Sequence, residues 1–268
     1  MEVVILKNAE AVAEKGAQLL VELILQKHNA VLGLATGRTP IALYEQLILR
    51  FKKGEISFAE MSSFNLDEYL GIDEEDKQSY RCFMNRVFFD HVDINRVNTH
   101  MPYCRTDENP RTFGLGYEND ILCAGGIDLQ ILGIGGNGHI GFNEPSSSIR
   151  SRTRVKTLTQ RTLQDNSRMF VEGEFQPKLA MTMGIATILD ARKIILLATG
   201  ESKAEAIATM VEGPLTSMCP GSALQLHQHV SVLLDEDAAF QLENKDYYRW
   251  AYEQNESLRQ QFGSFYNI

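Results

Sequence analysis

The chain has 268 residues, 44% of them hydrophobic and 23% charged, which is enough to bury a full core in one large domain. Acidic residues outnumber basic ones by 35 to 26, and the net charge of −9 argues against binding to nucleic acid or to anionic membrane surfaces. The four cysteines form no C-x-x-C pair, and neither a signal peptide nor a membrane-length apolar run is recognisable, so we expect reduced thiols and a cytoplasmic protein.

Short β-branched runs alternate along the chain with amphipathic segments. Strands are predicted at residues 3–6, 31–35, 61–66, 127–134, 154–158, 193–198 and 230–234. Helices are predicted from a cap at Asn8 to about Lys27, at 41–51, around 80–88 and at 241–263. The segment 101–116 is expected to be a loop, because it contains two prolines and two glycines.

The near-continuous apolar character of these strands predicts a Rossmann-like α/β fold. Such strands are buried on both faces, so they belong to an open parallel central sheet of about seven strands with helices on both sides. No internal repeat or linker interrupts the pattern, and residues 1–268 are expected to form a single domain.

The segment 36–40, which follows the second strand, has the features of an anion site. Thr39 is expected to cap the next helix, with Pro40 at its first position. Free backbone N–H groups at such a helix start favour a phosphate or carboxylate, although the same pattern also occurs in plain strand–turn–helix connections.

A second turn, TGESK (199–203), follows the sixth strand. Ser202 and Glu205 have the spacing of a capping box, so a helix is expected to begin at Lys203. A lysine at a helix N-terminus is unfavourable without a nearby anion, and this favours a phosphate site.

The third strand ends in the acidic pair Asp67-Glu68. Ligands of open parallel sheets bind beyond the carboxyl ends of the strands, where a carboxylate can serve as a general base. We therefore expect this pair to belong to the site.

The loop GIGGNGHIGFNEP (133–145) contains the G-x-G-x-x-G pattern of dinucleotide-binding loops. That pattern requires a following helix and an acid about 20 residues further on. Gly141 and Pro145 disfavour the helix, and the later region is basic, so the dinucleotide interpretation fails. The loop instead presents His139, with Asn137 before it and Glu144 after it.

A basic run follows this loop and predicts an anion site, because it reverses the sign of the overall charge. Its members are Arg150, Arg152, Arg154, Lys156, Arg161 and Arg168. Among the other histidines, His227 and His229 could lie on one face of a strand, but no third ligand is suggested and no metal is expected.

Five motifs together resemble those of the glucosamine-6-phosphate deaminase (isomerase) family. They are FNLDEY (64–69), GNGHIGFNEP (136–145), SRTRVKT (151–157), NSR (166–168) and TGESK (199–203), in the family's order. The likeness runs from about Val31 to Asp235 and implies an α/β fold with a parallel sheet. It also implies conversion of glucosamine 6-phosphate and water to fructose 6-phosphate and ammonia, in N-acetylglucosamine catabolism and without a cofactor.

The resemblance also implies roles for individual residues. Asp67 corresponds to the base that moves a proton during enolisation at C2. His139 corresponds to the acid/base that opens the sugar ring, oriented or tuned by Asn137 and Glu144. The implied phosphate site consists of Gly37, Arg38, Thr39, Arg168 and Lys203.

Two of these residues depart from the family's pattern. Asn137 stands where well-known bacterial members carry aspartate; its oxygen can accept the histidine N–H but cannot offset an imidazolium charge. We therefore expect Glu144 alone to supply that charge. Arg38 stands where the family often has a small residue, and it either adds a phosphate contact or points to solvent.

Some bacterial members of the family are hexamers activated by N-acetylglucosamine 6-phosphate bound between subunits. The residues that match that activator site are Ser147, Arg154 and Lys156. The resemblance thus implies a homo-oligomer, with a sugar phosphate as substrate and a second one as activator.

Three other functions share part of the pattern. A 6-phosphogluconolactonase has the same fold and a Gly-His loop, but lacks the FNEP ending. A sugar-phosphate-sensing regulator would be expected to carry a DNA-binding segment, for which there is no room before Val31. An NAD oxidoreductase requires the fingerprint that loop 133–145 fails. The deaminase is the preferred interpretation.

Overall fold

The computed structural model describes residues 1–167 and 176–263. Seven parallel strands form its central sheet. In their order across the sheet they are β1 (Glu2–Leu6), β10 (Val230–Asp235), β9 (Lys193–Ala198), β6 (Leu129–Leu132), β2 (Val31–Leu34), β3 (Ser62–Asn65) and β5 (Thr99–His100). Both β2 and β6 are buried at every position, as expected of central strands covered on both faces. The predicted fold class, an open parallel sheet with helices, is confirmed.

A second, smaller sheet lies beside the first and is antiparallel. Its three strands are β4 (Asp67–Tyr69), β8 (Leu179–Thr182) and β7 (Arg154–Thr157). The prediction that the strand at 154–158 belongs to the parallel sheet was therefore wrong, and the short β5 takes its place there. β7 alternates charged residues with Val155 and is only half-buried, a pattern of antiparallel strands with one solvated face.

Eight helices are described, and their bounds are as follows. They are α1 (Ala9–Gln26), α2 (Thr39–Lys52), α3 (Tyr80–Val87), α4 (Pro110–Cys123), α5 (Gln160–Ser167), α6 (Ile185–Leu189), α7 (Ala204–Val211) and α8 (Lys245–Phe262). Short 3-10 turns occupy Phe89–His91, Arg96–Asn98, Glu201–Lys203 and Pro220–Leu226. No helix within residues 1–167 and 176–263 is long and apolar enough to cross a membrane.

Among the helix starts, one agrees with its prediction from the sequence and another was not predicted. The Asn8 side chain accepts the N–H of Ala11 at 2.9 Å, so the predicted cap of α1 is confirmed. The prediction of a loop over 101–116 was wrong in its second half, where α4 begins. Asn109 caps that helix and Pro110 occupies its first position, where a proline costs no hydrogen bond.

The core lies between the sheet and the helices, and its packing is close enough to require a glycine in α1. A Cβ at Gly16 would lie 2.6 Å from Leu43 of α2 and 3.3 Å from Leu197 of β9. Both leucines are buried. The absence of a side chain at Gly16 thus allows α1 to approach α2 and the sheet, and this packing holds the start of α2 at the end of β2.

Candidate active site

A cavity of about 220 Å³ lies beyond the carboxyl ends of four parallel strands, β2, β3, β6 and β9. This is the edge at which open α/β sheets bind ligands. Six residues predicted from the sequence line it: Gly37, Arg38, Thr39, Asp67, His139 and Lys203. Topology therefore brings together groups that are far apart in the chain. Arg168 was also predicted for this site and lies outside the described residues.

The segment 36–40 enters the cavity as a glycine turn followed by a helix start. Gly37 has φ +105°, a conformation that favours glycine. The prediction that Thr39 caps α2 was wrong: Arg38 already has helical dihedrals and occupies the cap position, and Thr39 is the first helical residue. No side chain caps the helix. Its first N–H groups thus have no side-chain acceptor, which leaves them available to an anion.

The second turn brings Lys203 to the cavity. The predicted capping box was wrong, because Glu201–Lys203 forms a 3-10 turn and α7 begins at Ala204 without a side-chain cap. The turn is fixed instead from β10: the N–H of Gly200 donates to both carboxylate oxygens of Asp235, at 3.0 Å each. Sequence reasoning missed Asp235, although its position at the end of a parallel strand was a usable signal.

Asp67 and Glu68 face different parts of the protein. Asp67 lines the cavity, and burial, with a further contribution from the charge of Glu68, raises the pKa of Asp67 to about 8. Glu68 is fully buried and accepts backbone N–H groups of Tyr69, Tyr80 and Arg81 at 2.9–3.0 Å. Side chains alternate along β4, so only the first of the pair can serve as a base in the cavity.

The carboxylate of Glu144 lies next to the imidazole of His139. Its Nδ1 atom lies 3.4 Å from Oε2 of Glu144, which is an ion-pair distance and too long for a strong hydrogen bond. Asn137 does not accept from the imidazole, contrary to expectation. Its oxygen accepts the backbone N–H of His139 at 3.2 Å, and its amide nitrogen donates to Oε2 of Glu144 at 2.8 Å. Asn137 thus acts on the carboxylate and on the loop backbone.

Glu144 is held as a carboxylate behind the imidazole. Its Oε1 atom accepts the hydroxyls of Thr159, at 3.1 Å, and of Thr162. Burial by itself would raise the pKa of Glu144, but His139, Thr162 and Asn137 more than offset it and hold the pKa at about 2. Sequence reasoning missed both threonines, which have no spacing that marks them as partners of Glu144.

The glycines of loop 133–145 have different environments. A Cβ at Gly135 would lie 2.2 Å from Cε1 of His139, so the imidazole rests directly on that backbone. A Cβ at Gly133 would meet no atom within 4 Å. Gly141 has φ +53°, and a Cβ there would lie 3.4 Å from Oδ2 of Asp67. Two of the three positions therefore place the loop against the candidate acid/base groups.

The residues matched to an activator site lie outside this cavity. Arg154 is half-buried on β7 and donates from Nη1 to the Asn143 side-chain oxygen at 2.9 Å; Lys156 follows on the same face of the strand. Ser147 is buried. The basic run as a whole is not one anion site, because Arg152 pairs with acids that include Glu118, 3.6 Å away.

His227 and His229 have no metal-site geometry. The Nε2 atom of His227 contacts the carbonyl of Ala191 at 2.7 Å, and the two ring centroids are 6.4 Å apart. Over the described ranges, no group of three or more His, Cys, Asp or Glu side chains could hold a metal ion.

Comparisons with known proteins agree with one another. A family model described as glucosamine-6-phosphate isomerases/6-phosphogluconolactonase matches residues 7–233. A glucosamine-6-phosphate deaminase from Colwellia psychrerythraea is 61% identical over 267 residues, covering 100% of both chains. One from Pseudoalteromonas translucida is 56% identical over 265 residues, covering 99% of both.

Solved structures extend the likeness to the fold. A structure described as a monomeric glucosamine-6-phosphate deaminase has a TM-score of 0.87 and 42% identity, covering 90% of this chain and 100% of its own. A 6-phosphogluconolactonase from Thermotoga maritima has a TM-score of 0.67 and 20% identity, covering 87% and 98%. At that identity the second likeness concerns the fold alone.

Proposed function

Because the chain belongs to the family of glucosamine-6-phosphate isomerases and 6-phosphogluconolactonases, we propose that it is a glucosamine-6-phosphate deaminase. The reaction converts glucosamine 6-phosphate and water to fructose 6-phosphate and ammonia. One observation carries the proposal beyond family membership. A single cavity contains a buried carboxyl group, Asp67, and an imidazole, His139, whose Nδ1 atom lies 3.4 Å from the Glu144 carboxylate.

Ring opening is the task of His139. A pyranose opens when a proton leaves O1 and another reaches the ring oxygen, and imidazole can both accept and donate near neutral pH. Glu144 stabilises the imidazolium that forms in between, because it stays ionised beside Nδ1. Asn137 keeps Glu144 in place through its 2.8 Å hydrogen bond.

Isomerisation is the task of Asp67. Its carboxylate takes the proton from C2 of the open-chain sugar and delivers it to C1, while the aldehyde oxygen O1 gains a proton and the amino nitrogen loses one, which leaves a hydroxyl group at C1 and an imine at C2. Water adds to that imine, and the C–N bond breaks with release of ammonia, so the step is a hydrolysis as well as an isomerisation. The raised pKa of Asp67 makes it a stronger base once it is ionised.

The proposed phosphate site consists of the start of α2 and Lys203. Gly37, Thr39 and Lys203 line the same cavity, and no side chain caps the N–H groups at the start of α2. Arg38 lines it too, which supports a phosphate contact for this residue. The role of Arg168 at the phosphate stays a prediction.

The activator site, the homo-oligomer and the cytoplasmic location also stay predictions. We propose that Ser147, Arg154 and Lys156 bind N-acetylglucosamine 6-phosphate at a subunit interface. Addition of this sugar phosphate should then lower the KM for substrate in the wild type but not in Arg154→Met.

The test of the function is a product assay. Purified protein is incubated with glucosamine 6-phosphate, with and without N-acetylglucosamine 6-phosphate, and ammonia and fructose 6-phosphate are measured. We expect equal amounts of both products. No ammonia under either condition would refute the proposal, and hydrolysis of 6-phosphogluconolactone in its place would assign the chain to the other branch of the family.

Gly135→Ala is expected to lower kcat about 100-fold, because the new methyl group occupies the position of the imidazole and displaces it by 1 Å or more. Gly116→Ala is the control, since its methyl group enters open space on the exposed side of α4 and Gly116 does not line the cavity; it should retain kcat within about threefold. Steady-state kinetics of both variants, with circular dichroism to verify folding, provides the measurement. Equal losses would show that the contact with His139 does not matter.

A further inference from the structure

A second cleft, of about 320 Å³, adjoins the candidate active site. The cleft and the cavity share Gly37, Arg38 and Tyr80, so they lie on two sides of the same residues. Three cationic side chains line the cleft, those of Arg38, Lys77 and Arg86, and no acidic residue does. The charge of the cleft lining is thus opposite in sign to the net charge of the chain, which is −9.

These three cations have no ion-pair partner among residues 1–167 and 176–263, and each side chain is exposed. The Arg86 guanidinium lies over the ring of Phe83, 5.9 Å from its centroid, which leaves its charge uncompensated. Several long cations elsewhere are paired with carboxylates. They include Lys27, Arg50, Arg96, Arg152, Arg192, Arg249 and Arg259.

The acidic loop that precedes Lys77, residues 73–76, does not line the cleft. The Asp73 carboxylate accepts the N–H of Glu75 and the Asp76 carboxylate accepts that of Gln78, both at 2.8 Å. Both carboxylates keep their charge while they shape this loop, and the only charged residues that line the cleft are cations. The start of α3 is likewise occupied, by Glu68 and by the Ser79 hydroxyl. A ligand in the cleft would therefore interact with the positive charges of these side chains.

We propose that Arg38, Lys77 and Arg86 form an electrostatic capture site, which concentrates dianionic phosphate esters at the entrance of the active site. This rests on the proposed function, because the substrate is then a phosphate dianion approaching a protein of net charge −9. A cleft lined by one sign of charge focuses the field and raises the local concentration of the opposite charge. Arg38 lines both spaces and passes the phosphate from one to the other.

The capture site predicts a salt-dependent loss when its charge is removed. The double variant Lys77→Met/Arg86→Met keeps side-chain bulk over Phe83 but removes two positive charges. At an ionic strength of about 0.01 M we expect kcat/KM to fall roughly threefold to tenfold, with the loss carried by KM. At about 1 M, where the Debye length is about 3 Å, the variant should approach the wild type.

The matched control is Lys52→Met/Lys53→Met, which changes the net charge equally at the far end of α2. It should follow the wild type at every salt concentration. An equal loss in both double variants would mean that only the overall charge matters, and a loss that high salt does not remove would mean that the cations act by another route. Either result overturns the proposal.

A binding measurement keeps this proposal separate from the proposed function. Inorganic phosphate is titrated into the wild-type protein and both double variants by calorimetry at low and high salt, without any turnover. We expect weaker phosphate binding in Lys77→Met/Arg86→Met alone, and only at low salt. Unchanged phosphate affinity would refute the capture site even if ammonia is released, whereas normal capture without ammonia release would refute only the deaminase.

Discussion

Asp67→Asn is expected to abolish deamination, with kcat/KM lowered by about 10³-fold or more, and at the same time to stabilise the protein. The amide has the shape of the carboxyl group but cannot take a proton from C2. The same change removes an acid that is unfavourable to ionise, because burial and the charge of Glu68 raise its pKa to about 8. Loss of activity with a gain of stability is a combination that a misfolded variant cannot produce.

The stabilisation has a defined pH dependence. The folded pKa of Asp67 lies above the ordinary value of 3.8, so the native state holds this proton more tightly than the unfolded chain does. The wild type therefore loses stability through this group as pH rises from about 4 to 8, and Asp67→Asn removes that contribution. At pH 8 we expect the variant to be more stable by at least about 1 kcal/mol, or 2–4 °C in Tm.

Thermal unfolding of both proteins between pH 4 and 8 measures this difference. The control lies within the series, since the two Tm values should approach each other toward pH 4, where the carboxyl group is protonated in the native state and partly protonated in the unfolded chain. A constant difference at all pH values would contradict the raised pKa of Asp67. Retention of more than about 10% of the wild-type activity would contradict its role as the base.

The second large effect is expected at Glu144. Glu144→Gln should lower kcat by about 10²- to 10³-fold, because the imidazolium of His139 loses its counter-charge. The new NH2 group would also oppose donors, since Asn137, Thr159 and Thr162 all direct N–H or O–H groups at this carboxylate. A donor facing a donor leaves buried groups unsatisfied.

Comparison with Asn137→Ala tests whether the charge of Glu144 is the property that His139 requires. It removes one of several hydrogen bonds to Glu144 and leaves both threonines in place, so a loss of about tenfold or less is expected. Steady-state kinetics of the two variants decides the matter. If both lose activity equally, the charge of Glu144 is not the important property, and the orientation of the loop is.

The central sheet could be predicted from the sequence because its strands are buried on both faces and therefore continuously apolar. β9, with the sequence KIILLA, was predicted with its observed bounds. The short β5 and the exposed alternation of β7 have no comparable signal. α4 was missed because prolines and glycines suggested a loop, although Pro110 occupies the helix position where proline is tolerated.

The candidate site was predictable as a set of residues but less so as a set of contacts. The ends of parallel strands converge, and this alone brought Asp67, His139 and Lys203 into one cavity. The hydrogen-bond partners depend on side-chain directions, which spacing does not fix. That is why Asn137 was assigned to the wrong group, and why the two threonines on Glu144 were not foreseen.

The residues of the candidate site belong to two different sheets, the large parallel one and the small antiparallel one. Asp67 and Arg154 both pair with Thr182, one on each side. These two residues are 87 positions apart in the chain, but the distance between them is only two strand spacings, about 10 Å. The Thr182 hydroxyl also accepts the N–H of Phe142, which ties the histidine loop to the same unit. Asp67 is thus paired in the small sheet, whereas Thr39 and Lys203 follow strands of the large one. A shift of a few tenths of an ångström between the two sheets would change the distance from Asp67 to the proposed phosphate site. The six-carbon substrate must fit that distance, so its fit depends on how the two sheets pack together.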